Sequence, residues 1–392
     1  MYDGIVIKIP KGLIFWMVII AIFIKPDSIA ELLSPQFDTV LDMLRVLIAV
    51  IVFSLYVMYT KISTLFIACI SYKLCVLLIT IFNNGSIIQA FNYLATAIVL
   101  TIFIEWGIEN EVIVDAIYCV LIVYLIINLV TILMFPKGMY ISNVEYNFYL
   151  NWFLGWKTTL PLYIIPEMLL SLLFFYNTGS WIHIIFFGLG AIQPFLETTG
   201  GGSAAVLIFV TTLILSLSKF KKYINLLNSY LGLLLGSFLL IVMNVTSVYG
   251  KQIIEWFGKD PTLTTRTTVL WPINIKAFLN KPFIGYGLLG ANDFDRILDS
   301  HRAHNMILAI LVSSGIVGFF LFSALIMHIH KETITCLETG AYSICISSTT
   351  ALFFAGLTEA FDYLGTAYII FPIFYYMEYL FKNKYILSLR LY

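Results

Sequence analysis

Long apolar runs separated by short polar breaks recur along almost the whole chain. A bilayer core of roughly 30 Å is crossed by about 20 apolar residues in a helix. Backbone groups in lipid must be satisfied within their own segment, which selects helices for such runs. The pattern predicts membrane spans near residues 5–24, 40–59, 64–82, 87–106, 112–134, 159–177, 181–198, 203–218, 226–247, 304–327, 342–358 and 365–381. The expected fold class is all-α, a polytopic transmembrane bundle of about 12 helices, with residues 1–392 forming one membrane domain. Lys25, Pro26 and Asp27 follow the first run with no small-residue cleavage site, so it reads as an anchor and not as a removed signal peptide.

One interruption is longer than the others, the polar segment 248–303. Within it Val269, Leu270, Ile273, Ala277 and Phe278 recur at helical spacing, with Pro272 early in that helix or bending it. Pro282, Gly285, Gly287 and Gly290 mark a turn-rich stretch, and Asn292 to Ser300 fits a second short helix. The halves of the chain show no repeat, and no low-complexity linker divides them.

Composition sharpens the class. Sixty per cent of the 392 residues are hydrophobic and 11% are charged, too few charges for the surface of a soluble domain. Lys plus Arg equals Asp plus Glu at 22 each, so no overall field recruits nucleic acid. Lysines and arginines concentrate on one side of the predicted spans: Lys8, Lys11, Lys61, Lys219, Lys221, Lys222, Lys331, Lys382, Lys384 and Arg390, against Lys25, Lys137 and Lys157 in the short opposite loops. By the positive-inside rule both termini are cytoplasmic in a plasma (inner) membrane, and segment 248–303 is extracytoplasmic. Its seven basic residues run against that rule and require another reason. The five cysteines lie mostly in apolar runs without a CxxC pair and read as small hydrophobes. Most of the Tyr and Phe residues read as lipid-facing bulk or interfacial belts.

Candidate chemistry gathers at the end of the long loop. Asp293, Asp295, Arg296, Asp299, Ser300, His301, Arg302, His304 and Asn305 run directly into the apolar stretch Met306–Met327. His304 thus stands at the mouth of a helix, where an imidazole is matched to taking a proton from a sugar hydroxyl. An interfacial histidine with a solvated tip is the plainer alternative. Arg266 and Arg302 suit a diphosphate, because guanidinium binds phosphate oxygens through paired hydrogen bonds, while solvated loop charges are the commoner use. Lys73, deep in the third span, should face protein or a wet cavity beside a carboxylate. Arg45 and Asp42 are spaced for a structural ion pair. Glu359, Asp362 and Glu197 stand at outer span ends, and Pro161 and Pro166 are placed to kink the sixth span. The run GGGSA lacks the Lys-Ser/Thr ending of a phosphate loop, and the short cytoplasmic connections leave no room for a nucleotide-sugar site.

Taken together, the run TTRTTVLWPINIKAFLNKPFIGYGLLG, followed by HRAHNMILAILVSSGIVGFFLF, resembles the signature of the O-antigen polymerase and ligase family. Its elements are Arg266 before Trp271, the turn Pro282-x-x-Gly285-x-Gly287, the pair His304-Asn305, and Gly315-Ile316-x-Gly318, all within about residues 264–322. The resemblance implies a membrane glycosyltransferase with an undecaprenyl-diphosphate-linked glycan as donor, its outer loop covering a cavity in the bundle. It implies that Arg266 engages the leaving diphosphate and that His304 is the base or positions the acceptor. Arg302, His301 and Asn305 beside it, with Lys73, Glu359 and Trp271, make up the expected substrate-binding set. For Trp271, packing of the loop onto the bundle is the favoured reading, and a face offered to a sugar is the other. One departure stands out. Many members carry a Ser-Arg pair where this chain has Gly201 and Gly202 before Ser203, so one expected cation is missing.

The expected function is a polymerase joining lipid-linked repeat units of a surface polysaccharide at the outer membrane face, with no metal or other cofactor. A ligase moving finished glycan to another acceptor is the alternative within the family. A lipid-linked-oligosaccharide flippase or transporter is the alternative outside it, disfavoured because such proteins often show two related halves. Expected partners are the undecaprenyl-diphosphate-linked oligosaccharide and the bilayer, with a chain-length regulator and a flippase as protein partners, and no nucleic acid.

Overall fold

The computed structural model describes residues 10–26, 28–144, 147–244, 266–289, 303–361, 365 and 367–382. His301 and Arg302, the acidic residues of their cluster, Asp362, and the short helix expected at Asn292–Ser300 lie outside these residues. The described chain is mostly helical. Its first part runs α1 (Leu13–Phe23), α2 (Ile29–Leu32), α3 (Pro35–Tyr59), α4 (Thr64–Phe82), α5 (Ile87–Glu109) and α6 (Val112–Met134). Then follow α7 (Pro161–Thr178), α8 (Ile182–Leu196), α9 (Gly200–Ser216) and α10 (Leu226–Ile241). The last part holds α11 (Trp271–Asn280), α12 (Met306–Thr333), α13 (Gly340–Ala355), α14 (Ala367–Tyr375) and α15 (Met377–Lys382).

Among the described residues, α3, α4, α5, α6 and α12 are long and apolar enough to cross a membrane. The helix α3 shows how such a helix divides its surface. Arg45, Ala49, Val52 and Tyr56, spaced by four and three, are buried, whereas Met43, Leu47 and Val50 are more than half exposed. Apolar side chains on the open face are what lipid contact requires. Arg45 meets its expected partner Asp42 at 3.4 Å, and its Nη2 also donates to the Ile22 carbonyl at 2.8 Å. Lys25 joins them, 2.7 Å from Asp42.

Two features differ from an all-helical expectation. Residues 140–156 form a small antiparallel sheet, β1 (Tyr140–Val144), β2 (Asn147–Trp152) and β3 (Gly155–Trp156), with Tyr140 opposite Asn151 and Trp152 opposite Gly155. The segment is short, rich in Tyr, Phe and Trp, and too polar to span, which is the composition of a hairpin. Pro161 opens α7 where a kink was expected, at the position where its missing N–H costs nothing. Pro166 does lie inside that helix.

The second feature positions the candidate site. The helix α12 is broken at Gly315, whose φ of 61° and ψ of −162° no side-chain-bearing residue adopts comfortably. In an unbroken helix Ile316 and Val317 would donate to the carbonyls of Val312 and Ser313. Instead the turn after α11 enters the gap. Ile316 and Val317 donate to the carbonyls of Pro282 and Phe283 at 2.8 and 3.2 Å, while Tyr286 and Gly287 donate to those of Val312 and Ser313 at 2.9 and 2.7 Å. The two N–H groups and two carbonyls of these broken bonds thus regain partners, as irregular backbone at membrane depth requires. The same turn reaches α4: Leu288 donates to Thr80 Oγ1 at 2.8 Å, and Ser86 donates to the Leu288 carbonyl at 2.8 Å. Gly287 has no room for a side chain there, since a Cβ would lie 2.6 Å from the Thr80 nitrogen. The glycine turn and the Gly-Ile-x-Gly step are therefore two halves of one joint.

Candidate functional site

Three chain segments converge beyond the first turn of α12. Asn305 caps that helix, its Oδ1 accepting from the Leu308 N–H at 3.0 Å. Its Nδ2 donates to Ser237 Oγ on α10 at 3.1 Å and to the Leu357 carbonyl at 3.0 Å. Met306 N–H adds a bond to the Gly356 carbonyl at 2.7 Å. The start of α12 is thereby fastened to the turn that follows α13. Asn305 is fully buried with its amide engaged on both sides, so it holds its neighbours in place.

That turn carries Glu359, and Glu359 joins the two residues that the motif singles out. Its Oε1 accepts from Arg266 Nη2 at 2.6 Å, and its Oε2 lies 2.8 Å from His304 Nδ1. Arg266 Nε donates to the neighbouring Thr358 carbonyl at 3.3 Å. Arg266 opens a π-helical turn, Arg266–Leu270, that leads into α11, with Pro272 in the first turn of that helix. All three side chains keep some exposure: 16% for Arg266, 16% for Glu359 and 27% for His304. A carboxylate only accepts hydrogen bonds, so the contact to Glu359 fixes the proton on Nδ1 of a neutral His304 and leaves the lone pair on Nε2.

His304 itself is held at φ 45°, in the left-handed region that non-glycine residues seldom occupy. Such a conformation costs about 1–3 kcal/mol and persists only where surrounding bonds impose it. The bonds from Asn305 and Met306 to Leu357 and Gly356 do so here. Replacing His304 by Gly is accordingly expected to keep or slightly raise the melting temperature while abolishing glycan transfer. A thermal-unfolding curve together with a transfer assay on the purified variant checks both halves, and a clear drop in melting temperature would remove the strain argument.

The other candidates divide. Trp271 is fully buried among Ala277, Tyr286, Leu289, Ala303, Leu308 and Val312 and packs the loop onto α12. Lys73 is buried in α4 with its ammonium over the rings of Tyr72 and Tyr368, at 5.3 and 5.0 Å. Glu197 is buried and accepts from Asn128 Nδ2 at 2.9 Å. Gly201, at the start of α9, faces Thr358: a Cβ there would lie 3.5 Å from its Oγ1. Gly202 is packed against Pro194. The stretch lacking the family arginine thus stands beside the Arg266–Glu359–His304 group. An apolar groove of about 490 Å³ lies elsewhere, between α4 and α12, lined by Leu74, Cys75, Leu78, Phe82, Ile284 and Val317 among others.

The sequence places Glu359 at an outer span end and in the expected substrate-binding set. Its bridging role had no local signal, because it stands 93 residues from Arg266 and 55 from His304. The joint at Gly315 had one, in the glycine turn and the Gly-Ile-x-Gly step, but the pairing of the two is a tertiary fact.

Residues 184–323 match the family model described as O-antigen ligase. That span holds Arg266 and His304 and ends before Glu359. No curated protein and no solved structure gives a match. The matched family comprises enzymes acting on lipid-linked glycans, and with the long apolar helices it makes this a membrane-embedded protein. Over residues 184–323, then, the chain matches the O-antigen ligase family model, consistent with the resemblance to O-antigen polymerases and ligases borne by its motifs.

Proposed function

We propose that the protein is a polymerase that joins undecaprenyl-diphosphate-linked oligosaccharide units at the outer membrane face, with both chain termini cytoplasmic and about 12 helices in the bilayer. The observation that carries this reading is one carboxylate, Glu359, bonded to both Arg266 and His304. With a neutral imidazole the three groups sum to no net charge. When His304 Nε2 takes the proton of the acceptor hydroxyl, the oxygen attacks the anomeric carbon and the bond to the diphosphate oxygen breaks. At that moment the imidazole becomes cationic and the group carries one positive charge. The positive charge arises as the negative charge on the leaving diphosphate grows, so the stabilisation falls on the transition state and not on the bound substrate. Arg266 lies within the same hydrogen-bonded unit and faces the departing anion, while Glu359 holds the imidazole tautomer. The backbone at Gly201 beside Thr358 leaves space for the donor where relatives carry an arginine.

His304→Ala and Arg266→Ala in the native host test the reading. Single lipid-linked units are expected to accumulate while long polymer disappears, at unchanged protein level. Normal polymer length in both variants rejects the enzymatic assignment. The description of the matched family favours a second reading, a ligase acting on a separate acceptor. Purified protein supplied only with lipid-linked units separates them: a ladder of lengthening glycan means polymerase, and no elongation without a second acceptor means ligase.

A further inference from the structure

Away from the candidate site, α6, α7 and α8 enclose a line of polar side chains that the glycan chemistry does not use. Glu167 is fully buried, and its Oε1 accepts from Ser171 Oγ at 2.5 Å. Ser171 Oγ lies 3.0 Å from Tyr118 Oη, and Tyr118 Oη lies 3.0 Å from His183 Nδ1. Ser171 and Tyr118 are themselves buried, and His183 is 3% exposed. Among the described residues Glu167 Oε2 and His183 Nε2 have no hydrogen-bond partner, so the line ends at a carboxyl and an imidazole. Gly190 on α8 makes room for the carboxyl, since a side chain there would fall on Glu167. Cys119, beside Tyr118, and Asp115, one turn before it on α6, are the other titratable groups near the line.

This arrangement links an acid to a base through two hydroxyls that each can accept one proton and pass on another. We propose that it is a buried proton relay between His183 and Glu167, whose ligand is a single proton. Starting from imidazolium and carboxylate, His183 Nδ1 gives its proton to Tyr118 Oη. The Tyr118 proton passes to Ser171 Oγ, and the Ser171 proton passes to Glu167 Oε1. The end state is a neutral imidazole and a neutral carboxylic acid, with both hydroxyls reversed and no electron transferred. The interior gains because two buried charges cancel. Ionisable residues at membrane depth commonly mark such pathways. The relay lets the bundle store and pass a proton without opening to water, and it stands independently of the polymerase reading.

Infrared difference spectroscopy of the full chain in lipid nanodiscs tests it. The wild-type minus Glu167→Gln spectrum is expected to contain the carbonyl stretch of a protonated carboxylic acid, shifting after transfer to D₂O. Tyr118→Phe and Ser171→Ala should abolish the fast phase of that shift, and Ser171→Thr, which keeps the hydroxyl, should retain it. Monodisperse elution and an unchanged helical circular-dichroism signal establish that each variant is folded. Absence of the carbonyl band, or equally fast exchange in the two hydroxyl-free variants, overturns the relay.

Discussion

Glu359→Gln is expected to lower glycan transfer by about 10²–10⁴-fold while leaving protein level and helical content unchanged. The amide is nearly the size of the carboxylate, so packing is preserved and the chemistry changes. Glu359 accepts from Arg266 with one oxygen and from His304 with the other. A glutamine can accept at only one of those ends, and its NH₂ then faces a donor at the other. If the amide oxygen stays with Arg266, His304 is driven to the opposite tautomer and its Nε2 lone pair is lost to base catalysis. If the oxygen turns to His304, the amide NH₂ faces the guanidinium, donor against donor, and in both orientations Arg266 lacks a counter-charge in a site only 16% exposed. Either outcome removes one function of the bridge. Glu359→Asp, one methylene shorter, should reach one partner but not both and fall between the two. Transfer from lipid-linked units by purified Glu359→Gln, at close to the wild-type rate, would sink the trio as the catalytic unit.

Gly315→Ala should produce the largest loss of stability, about 2–6 kcal/mol, from the sum of a strained backbone and an overfilled contact. At Gly315 φ is 61°, and an added Cβ would fall on the Phe283 carbonyl and lie 2.6 Å from the Ile284 nitrogen. Neither neighbour can yield cheaply, because both are backbone and both belong to the turn whose bonds repair the broken helix. Gly188→Ala is the matched control. It lies inside α8, a Cβ there meets nothing within 4 Å, and helix propensity favours alanine. Thermal unfolding in detergent should show a large fall for Gly315→Ala and none for the control. Polymer should also be lost in the host, because Asn305 and His304 immediately precede the first half of α12 and are held by it. A melting temperature unchanged by Gly315→Ala would mean that the joint is not a structural determinant.

Helix positions were legible because the causes are local. Apolar runs such as 64–82 and 112–134 contain their own hydrogen-bond partners, and helices occupy them in the structure. The Arg45–Asp42 contact was legible for the same reason, since one helical turn brings those residues together. His304 and Arg266 were legible only as members of a family-like motif. Trp271 and Asn305 were named with them but turned inward, one packed and one capping, since a motif conserves support as readily as chemistry. The small sheet at 140–156 was hidden by the weight of the surrounding apolar pattern, although its own alternation of aromatic and polar residues is strand-like.

The sequence alone determined that this chain is rich in long apolar helices and that its family-like motif lies within about residues 264–322. Those properties follow from hydropathy and from spacing within a few turns. Tertiary structure alone decided that Glu359 joins Arg266 to His304, that the glycine turn completes a helix broken at Gly315, and that His183 and Glu167 are linked through Tyr118 and Ser171. Apart from the Ser171–Glu167 bond, which lies within α7, these contacts join segments on different helices or loops. A single sequence carries no term for such pairings, because they are fixed by how the helices pack and not by what any one helix contains.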